Sequence, residues 1–446
     1  MPTFRSVAFF LSALLAAGLS TAGVCGERVI VLTSYPEEVF SRFEAAYEHA
    51  HPGVDVEVLW RTPHDALEHL SRTGNGDVDV FWAASPRTFR SLADLGLLDS
   101  RDVDRSGIPD SVGPLPLVDP SHRFHAFELA SFGIVSDPAA FAALGSRVPG
   151  NWSDLTDPRL ENRVGFPVPS RVGFATALVD GILQATGWRE GWALIGRLGA
   201  NSRLALSGGT SIVDDVRNGH TAAGVTIDFF AQAAIAKEHR LEFRHPAAAG
   251  SSLGHAAVLR SAPHRAGAVR FVSFLLSPEG QHLLAEPGIR RIAIHPAAHQ
   301  GARFPLDPYQ DLAAPMLRFD TDLAAARAPT VSALFDALVT RRQHALRAAW
   351  RAWEQARRDD AASSTPASMA ALGEAEDLLS RLPLTAEAAG RAPLRTIFER
   401  RRSSPEAEAE AAAIESSWTA FFDENARLAL ERLAALRTGT GTGSKP

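Results

Sequence analysis

Strand and helix signals alternate three times in the first hundred residues, and this alternation restricts the fold more than any other feature of the chain. Arg28-Val-Ile-Val-Leu32 is short and β-rich, as a buried strand requires. Thr33-Ser34-Tyr35-Pro36-Glu37-Glu38 then opens a helix, with proline and acids in its first turn. Phe40, Phe43, Ala46 and Tyr47 continue it until His51-Pro52-Gly53. Val54 to Trp60 alternates as a second strand, a helix follows over 63–71, and Asp77 to Trp82 reads as a third strand before a helix that ends near Gly96. Such β-α-β-α-β-α order predicts a parallel sheet covered by helices on both faces. Ligands of such sheets bind at the carboxyl ends of the strands. Thr33, Ser34 and Ser85 occupy two of those ends, and Arg61 follows the second strand.

A second α/β unit spans 126–235. Val164 to Val168 reads as a strand, helices follow over 174–186, 188–198 and 212–218, and Ala223 to Asp228 closes the unit as a strand. The chain then resumes its earlier character, with a strand over 256–259, a helix over 266–276, and Ser277-Pro278 capping another helix. The sequence therefore reads as two lobes: lobe 1 from 28–125 and 236–304, lobe 2 from 126–235. Two crossing segments between lobes make a hinge, with a cleft between them. From 305 to 437 the chain turns Ala-, Arg- and Glu-rich. Amphipathic patterns over 330–355 and 414–433 predict an all-α extension. Residues 438–446 carry no core-forming side chain and read as a disordered tail.

The N-terminus reads as an export signal. Arg5 precedes an apolar run from Val7 to Leu19, and Ser20 to Gly23 are small, so a cut after Ala22 is expected. Removing residues 1–22 takes away Arg5 alone and lowers the formal net charge from −6 to −7. Cys25 is the only cysteine, so no internal disulfide forms, and Val24 before it disfavours a lipid anchor. No basic footprint argues for nucleic acid. Fifteen histidines show no metal-ligand spacing, and no nucleophile elbow or phosphate-binding loop with its lysine occurs. No cofactor, metal or catalytic residue is therefore assigned.

Three segments place hydroxyls, two of them with glycine, before a helix: Thr33-Ser34, Ser170-Arg171-Val172-Gly173, and Ser207-Gly208-Gly209-Thr210-Ser211. A helix N-terminus offers free N–H groups and about half a positive charge, which suits an anion. Arg171 adds a guanidinium that can grip phosphate or carboxylate in two places. Asp228 ends an apolar strand at the hinge, where it is expected either to contact a ligand hydroxyl or amine or to cap a helix. Trp82 is expected in the core.

Several motifs resemble the type 2 periplasmic binding proteins. Val31 to Glu38 and Asp77 to Trp82 are similar to the start of that family. Asn151-Trp-Ser-Asp-Leu-Thr-Asp-Pro158 and Gly187-Trp-Arg-Glu-Gly-Trp192 are similar to its ferric and organophosphate branch. Ser261 to Arg265 and Phe274 to Gln281 resemble its closing segment. The nearest likeness is to phosphoglycerate-transport regulatory proteins, which share a helical C-terminal extension and a motif like Leu334-Phe335-Asp336. The resemblance implies a two-lobed α/β fold of that type with a hinge, plus the all-α extension. It implies a periplasmic monomer that binds a small anion in the cleft, without catalysis, and meets a transporter permease or a membrane sensor kinase. By position it assigns the ligand to Thr33, Ser34, Ser85, Ser170, Gly209, Thr210 and Asp228. The helix-start reading adds Arg61, Arg171 and Ser211. Arg171 departs from the Ser-Gly-Thr-like residues of many relatives. Ferric and polyamine ligands, a sensor role, and a secreted scaffold that binds a partner protein are the competing readings.

Overall fold

The computed structural model describes residues 27–72, 77–206, 209–237, 240–246, 249–301, 304, 307–310, 318–360, 365–401 and 404–439. The segment read as an export signal and residues 440–446 lie outside this set.

Lobe 1 begins with β1 (Glu27–Thr33), α1 (Glu37–Ala50), β2 (Val54–Trp60), α2 (Pro63–Ser71), β3 (Val80–Ala83) and α3 (Pro86–Asp94). The expected alternation is present, and β1 pairs in parallel with both β2 and β3. β3 starts later than its apolar pattern suggests. Asp77 has φ 60°, and the buried Asp79 carboxylate accepts the Ile30 and His264 N–H groups at 2.8 and 2.7 Å. Alternate residues of β1 enter different cores, Val29 and Val31 on one face and Ile30 and Leu32 on the other. Both faces are therefore covered, as a parallel sheet requires. Trp82 is buried against Tyr35, Phe43 and Phe127, in the core as expected.

After a short hairpin of β4 (Ser111–Val112) and β5 (Leu115–Pro116) comes β6 (His125–Ser136), buried throughout. Lobe 2 follows with α4 (Pro138–Ala143), β7 (Val164–Pro167), α5 (Ala175–Thr186), α6 (Trp188–Asn201), β8 (Arg203–Ala205), α7 (Gly209–Arg217), β9 (Ala223–Ile227), α8 (Asp228–Lys237) and β10 (Glu242–Arg244). The chain returns through β11 (Ser251–Val258), α9 (Arg265–Leu276), α10 (Pro278–Leu283) and β12 (Ile292–Ala293). Ser277 accepts the Gly280 N–H at 3.1 Å and caps α10.

The strand order is β2-β1-β3-β11-β6-β9-β7-β8, and β6 is common to both lobes. Residues up to Ser131 pair with β11, while Phe132 to Ser136 pair with β9 and β10. On this pairing we place the lobe exchange at 131/132 and between 244 and 251, inside the segments that the sequence reading assigned to one lobe. Gly133 is required where β10 crosses it, since a Cβ there would lie 2.4 Å from the Arg244 carbonyl oxygen.

The extension comprises α11 (Thr321–Phe335), a π-helical turn at Asp336–Thr340, α12 (Gln343–Asp360), α13 (Pro366–Leu379), α14 (Ala386–Gly390), α15 (Ala392–Arg400) and α16 (Pro405–Gly439). The single helix expected over 330–355 is thus interrupted, and α16 runs two residues into the segment read as tail. Thr321–Thr340 is long and apolar enough to cross a membrane, but it packs into the lobe 2 core through Val331, Leu334, Phe335, Leu338 and Val339.

Candidate functional site

Strand directions set where the site lies. β3 runs antiparallel to β11 and β11 antiparallel to β6, so β6 points the same way as β1, β2 and β3. β9 is antiparallel to β6, and β7 and β8 follow β9. The carboxyl ends of the parallel strands in both lobes therefore open at the level where β6 crosses, around Ser131 and Phe132. The sequence-predicted residues all sit at these ends. Thr33 ends β1, Arg61 and Ser85 follow β2 and β3, and Ser170, Gly209 and Asp228 follow β7, β8 and β9.

Their side chains do different things. Thr33 is fully buried: its hydroxyl donates to the Trp82 carbonyl at 2.6 Å and accepts the Tyr35 N–H at 3.1 Å. It shapes the turn after β1 rather than facing the cleft. Ser34 is half-buried before α1. Ser85 is half-buried and shares a 2.8 Å hydrogen bond with Thr88 at the start of α3. Arg61 is exposed and donates to the neighbouring Trp60 carbonyl at 2.8 Å. Ser170 and Arg171 are exposed in the turn before α5, where the Arg171 and Val172 N–H groups both reach the Val168 carbonyl at 2.9 Å. The Arg171 guanidinium has no partner among the described residues, so an anion can approach it without breaking an ion pair. Gly209 and the exposed Thr210 open α7, followed by the half-buried Ser211, while Ser207 and Gly208 lie outside the described residues.

Asp228 is also turned inward. One oxygen accepts the N–H and hydroxyl of Ser131, both at 2.8 Å, and the other accepts the Phe229 N–H at 2.7 Å. It is fully buried, and it ties the first turn of α8 to the crossing point of β6. Both carboxylate oxygens are thus taken by donors of the protein itself. Burial pushes its carboxyl up to about 7, against hydrogen bonds from Ser131 and Phe229 that pull it down.

Beside it lies a buried cluster that the motif reading missed. The Arg291 guanidinium pairs with the Glu128 carboxylate, and the Tyr35 hydroxyl donates to the same oxygen at 2.8 Å. All three residues are at most 3% exposed. Arg291 lies 4.8 Å from the centroid of the Tyr35 ring and 3.8 Å from that of Phe229, so a lobe 1 cation stacks on the first turn of a lobe 2 helix. Burial raises both the Glu128 carboxyl and the Tyr35 phenol, the former against the opposing pull of Arg291. Gly254 makes room for the cluster, since a Cβ there would stand 2.2 Å from the Tyr35 hydroxyl and 2.7 Å from Glu128 Cγ. Gly254→Ala is expected to cost about 1–3 kcal/mol, the usual range for an overpacked core, measured as a loss in denaturant stability. The available signal was Arg290-Arg291 set directly against the apolar run Ile292-Ala293-Ile294.

The described residues contain no group of three or more His, Cys, Asp or Glu placed to hold a metal ion. Of the three tyrosines, Tyr35 bonds to Glu128 and Tyr309 to the Ile294 carbonyl, while Tyr47 is buried in the lobe 1 core.

A profile described as bacterial extracellular solute-binding protein matches residues 78–318, more than half of the chain. The chain belongs to this family. Among curated relatives, the phosphoglycerate transport regulatory protein PgtC of Salmonella typhimurium is 26% identical over 392 residues, spanning 86% of this chain and 92% of PgtC. Among solved structures, the periplasmic binding protein AfuA from Actinobacillus pleuropneumoniae, with fructose-6-phosphate bound, superposes with a TM-score of 0.60 at 18% identity. That match covers 70% of this chain and 98% of AfuA. Iron-bound HitA from Pseudomonas aeruginosa gives a TM-score of 0.55 at 17% identity, covering 68% and 98%. The solute-binding fold and the PgtC likeness agree with the resemblance drawn from the motifs.

Proposed function

We propose that this chain is a periplasmic solute-binding protein of an ABC-type uptake system that takes a small organophosphate, such as a phosphoglycerate or a sugar phosphate, between its lobes. The observation that carries this reading is the exposed, unpartnered Arg171 beside Ser170 at the carboxyl end of β7, with Thr210 at the start of α7 after the adjacent β8. Together they offer a guanidinium, hydroxyls and a helix N-terminus to one anion. The names of PgtC and of the sugar-phosphate-bound AfuA point to the same ligand chemistry. A ferric ligand finds less support, because Tyr35, Tyr47 and Tyr309 all lie in or against the lobe 1 core and none lies in lobe 2. A sensor role is the second reading, favoured by the regulatory name of PgtC; the loaded protein would then meet a membrane sensor kinase instead of a permease. In either role the ligand closes the lobes only through its greater affinity for the closed arrangement.

The test is a thermal-shift screen of residues 23–446 against phosphorylated three- to six-carbon metabolites, phosphonates, polyamines and ferric citrate. A ligand at 100 times its Kd adds about 2.7 kcal/mol of stability. Phosphorylated compounds are expected to raise the midpoint, and a response confined to polyamines or ferric citrate would overturn the reading. Arg171→Ala is expected to weaken the phosphorylated ligand about 10- to 100-fold, the range for a charge-assisted hydrogen bond of about 1.5–3 kcal/mol. The melting of the free protein should stay unchanged, because the side chain is exposed and holds nothing in place. Unaltered affinity in calorimetric titration removes Arg171 from the site.

A further inference from the structure

The helical extension shares its core with lobe 2 and not with lobe 1. One continuous apolar cluster joins Phe166, Trp192 and Ile195 of lobe 2 to Phe335, Leu338 and Trp350 of the extension. Phe166 and Phe335 stack with centroids 5.7 Å apart. Asp180 on α5 and Arg327 on α11 form a buried ion pair at 3.1 Å. Gln184 on α5 exchanges two 2.8 Å hydrogen bonds with the backbone of Asp320. The two lobe 1 cores, by contrast, take no residue after Tyr309 among the described residues.

Tyr309 packs against the lobe 1 core and Asp320 bonds to lobe 2, so by Asp320 the chain has changed lobes a third time. Where it arrives, a lobe 1 side chain reaches over. Arg90 on α3 donates to the Thr321 carbonyl at 3.2 Å and to the Thr321 hydroxyl at 3.0 Å, and it pairs with the Asp322 carboxylate at 2.7 Å. These contacts fall on the first turn of α11, which Asp320 caps by accepting the Asp322 and Leu323 N–H groups at 3.0 and 2.9 Å.

We infer that the extension and lobe 2 move as one rigid body, and that Arg90 is a latch holding that body to lobe 1. A shared apolar core cannot slide without opening cavities, whereas an ion pair with two hydrogen bonds at a surface can break and re-form as the lobes rotate. Arg90, Thr321 and Asp322 are not among the residues assigned to the ligand, so the latch would bias the lobe arrangement by its own contacts. The inference rests on the proposed movement of the lobes.

Distance measurement between spin labels tests it. Cysteines replace the exposed Ala45 in lobe 1, Asn218 in lobe 2 and Met369 in the extension, pairwise, in a Cys25→Ser background. Arg90→Gln and Asp322→Asn are each expected to shift or broaden the Ala45–Asn218 distribution beyond its parental width. The double variant should go no further than either single one, and the Asn218–Met369 distance should not change. Asp322 is 85% exposed, so its substitution leaves the fold intact. Adding 3-phosphoglycerate separates the readings. If it shortens the Ala45–Asn218 distance while both variants match the parent, lobe closure stands and the latch falls. If the variants move that distance and 3-phosphoglycerate does not, the latch stands and the ligand assignment falls. Any change in Asn218–Met369 overturns the single rigid body.

Discussion

Arg291→Met is expected to cost the folded protein about 3–5 kcal/mol, the range for breaking a buried ion pair on one side. The loss comes less from the absent cation than from what it leaves behind. Glu128 is fully buried, and Tyr35 then supplies the one hydrogen bond to its carboxylate. Methionine fills a similar volume and keeps an apolar contact with Phe229, so little of the effect is a cavity. Two further measurements separate charge from packing. Adding Glu128→Gln to Arg291→Met removes the stranded charge and is expected to recover a large part of the loss, since replacing both members of a buried pair is often near neutral. The penalty of Arg291→Met alone should also shrink as pH falls, because protonation of Glu128 removes the same charge; burial already raises that carboxyl in the parent protein. Chemical denaturation at several pH values checks both. A loss below about 1 kcal/mol, or no recovery with Glu128→Gln, would show that the pair is not what holds the floor of the cleft together.

The parts of this fold that were legible in the sequence are those whose pattern is local. β2 and α2 run over the expected residues, and β1 and α9 differ from expectation by one or two, because strand alternation, proline at a helix start and glycine at a helix end are read within a few residues. β6 was not legible, although it is the longest strand and common to both lobes. It is buried on both faces, so it shows no alternation, and it carries Glu128 and Ser131 among its apolar residues. Those polar groups are satisfied by Arg291, Tyr35 and Asp228, which are distant in sequence. The π-helical turn at Asp336–Thr340 escaped for a related reason: the helical period continues through it, and only packing against α6 and α16 shows the break. For the candidate site, strand ends bring the chosen residues to one level of the molecule but do not give the direction of each side chain. Thr33 and Asp228 face inward and hold the frame, while Ser170, Arg171 and Thr210 remain exposed. A hydroxyl or carboxyl at a strand end looks the same in sequence whether its partner is a ligand or the protein itself.

Asp228 gives the folded protein a pH dependence whose sign is set by its burial. The carboxyl titrates near 3.8 when the chain is unfolded and is pushed up to about 7 when it is folded. Between these values the folded form holds a proton that the unfolded form has released. Stability therefore falls as pH rises through this window, by at most about 1.36 kcal/mol per pH unit. Below it both forms are protonated and above it both are ionised, so the contribution levels off at each end. Over roughly three units the limiting loss is about 4 kcal/mol. This runs opposite to the effect of a carboxylate whose ion pair holds it below its ordinary value, and Asp99 with Arg101 contributes in that opposite sense at lower pH. The comparison that isolates Asp228 is therefore Asp228→Asn against the parent, by denaturation from pH 4 to 8. Asparagine cannot ionise, so the difference in stability between the two proteins should move in its favour as pH rises and should stop changing above about pH 8. Parallel curves would mean that the Ser131 and Phe229 hydrogen bonds outweigh burial and keep the carboxylate charged throughout. In that case the first turn of α8 is held to β6 by a permanent charge, and the crossing between the lobes is insensitive to pH.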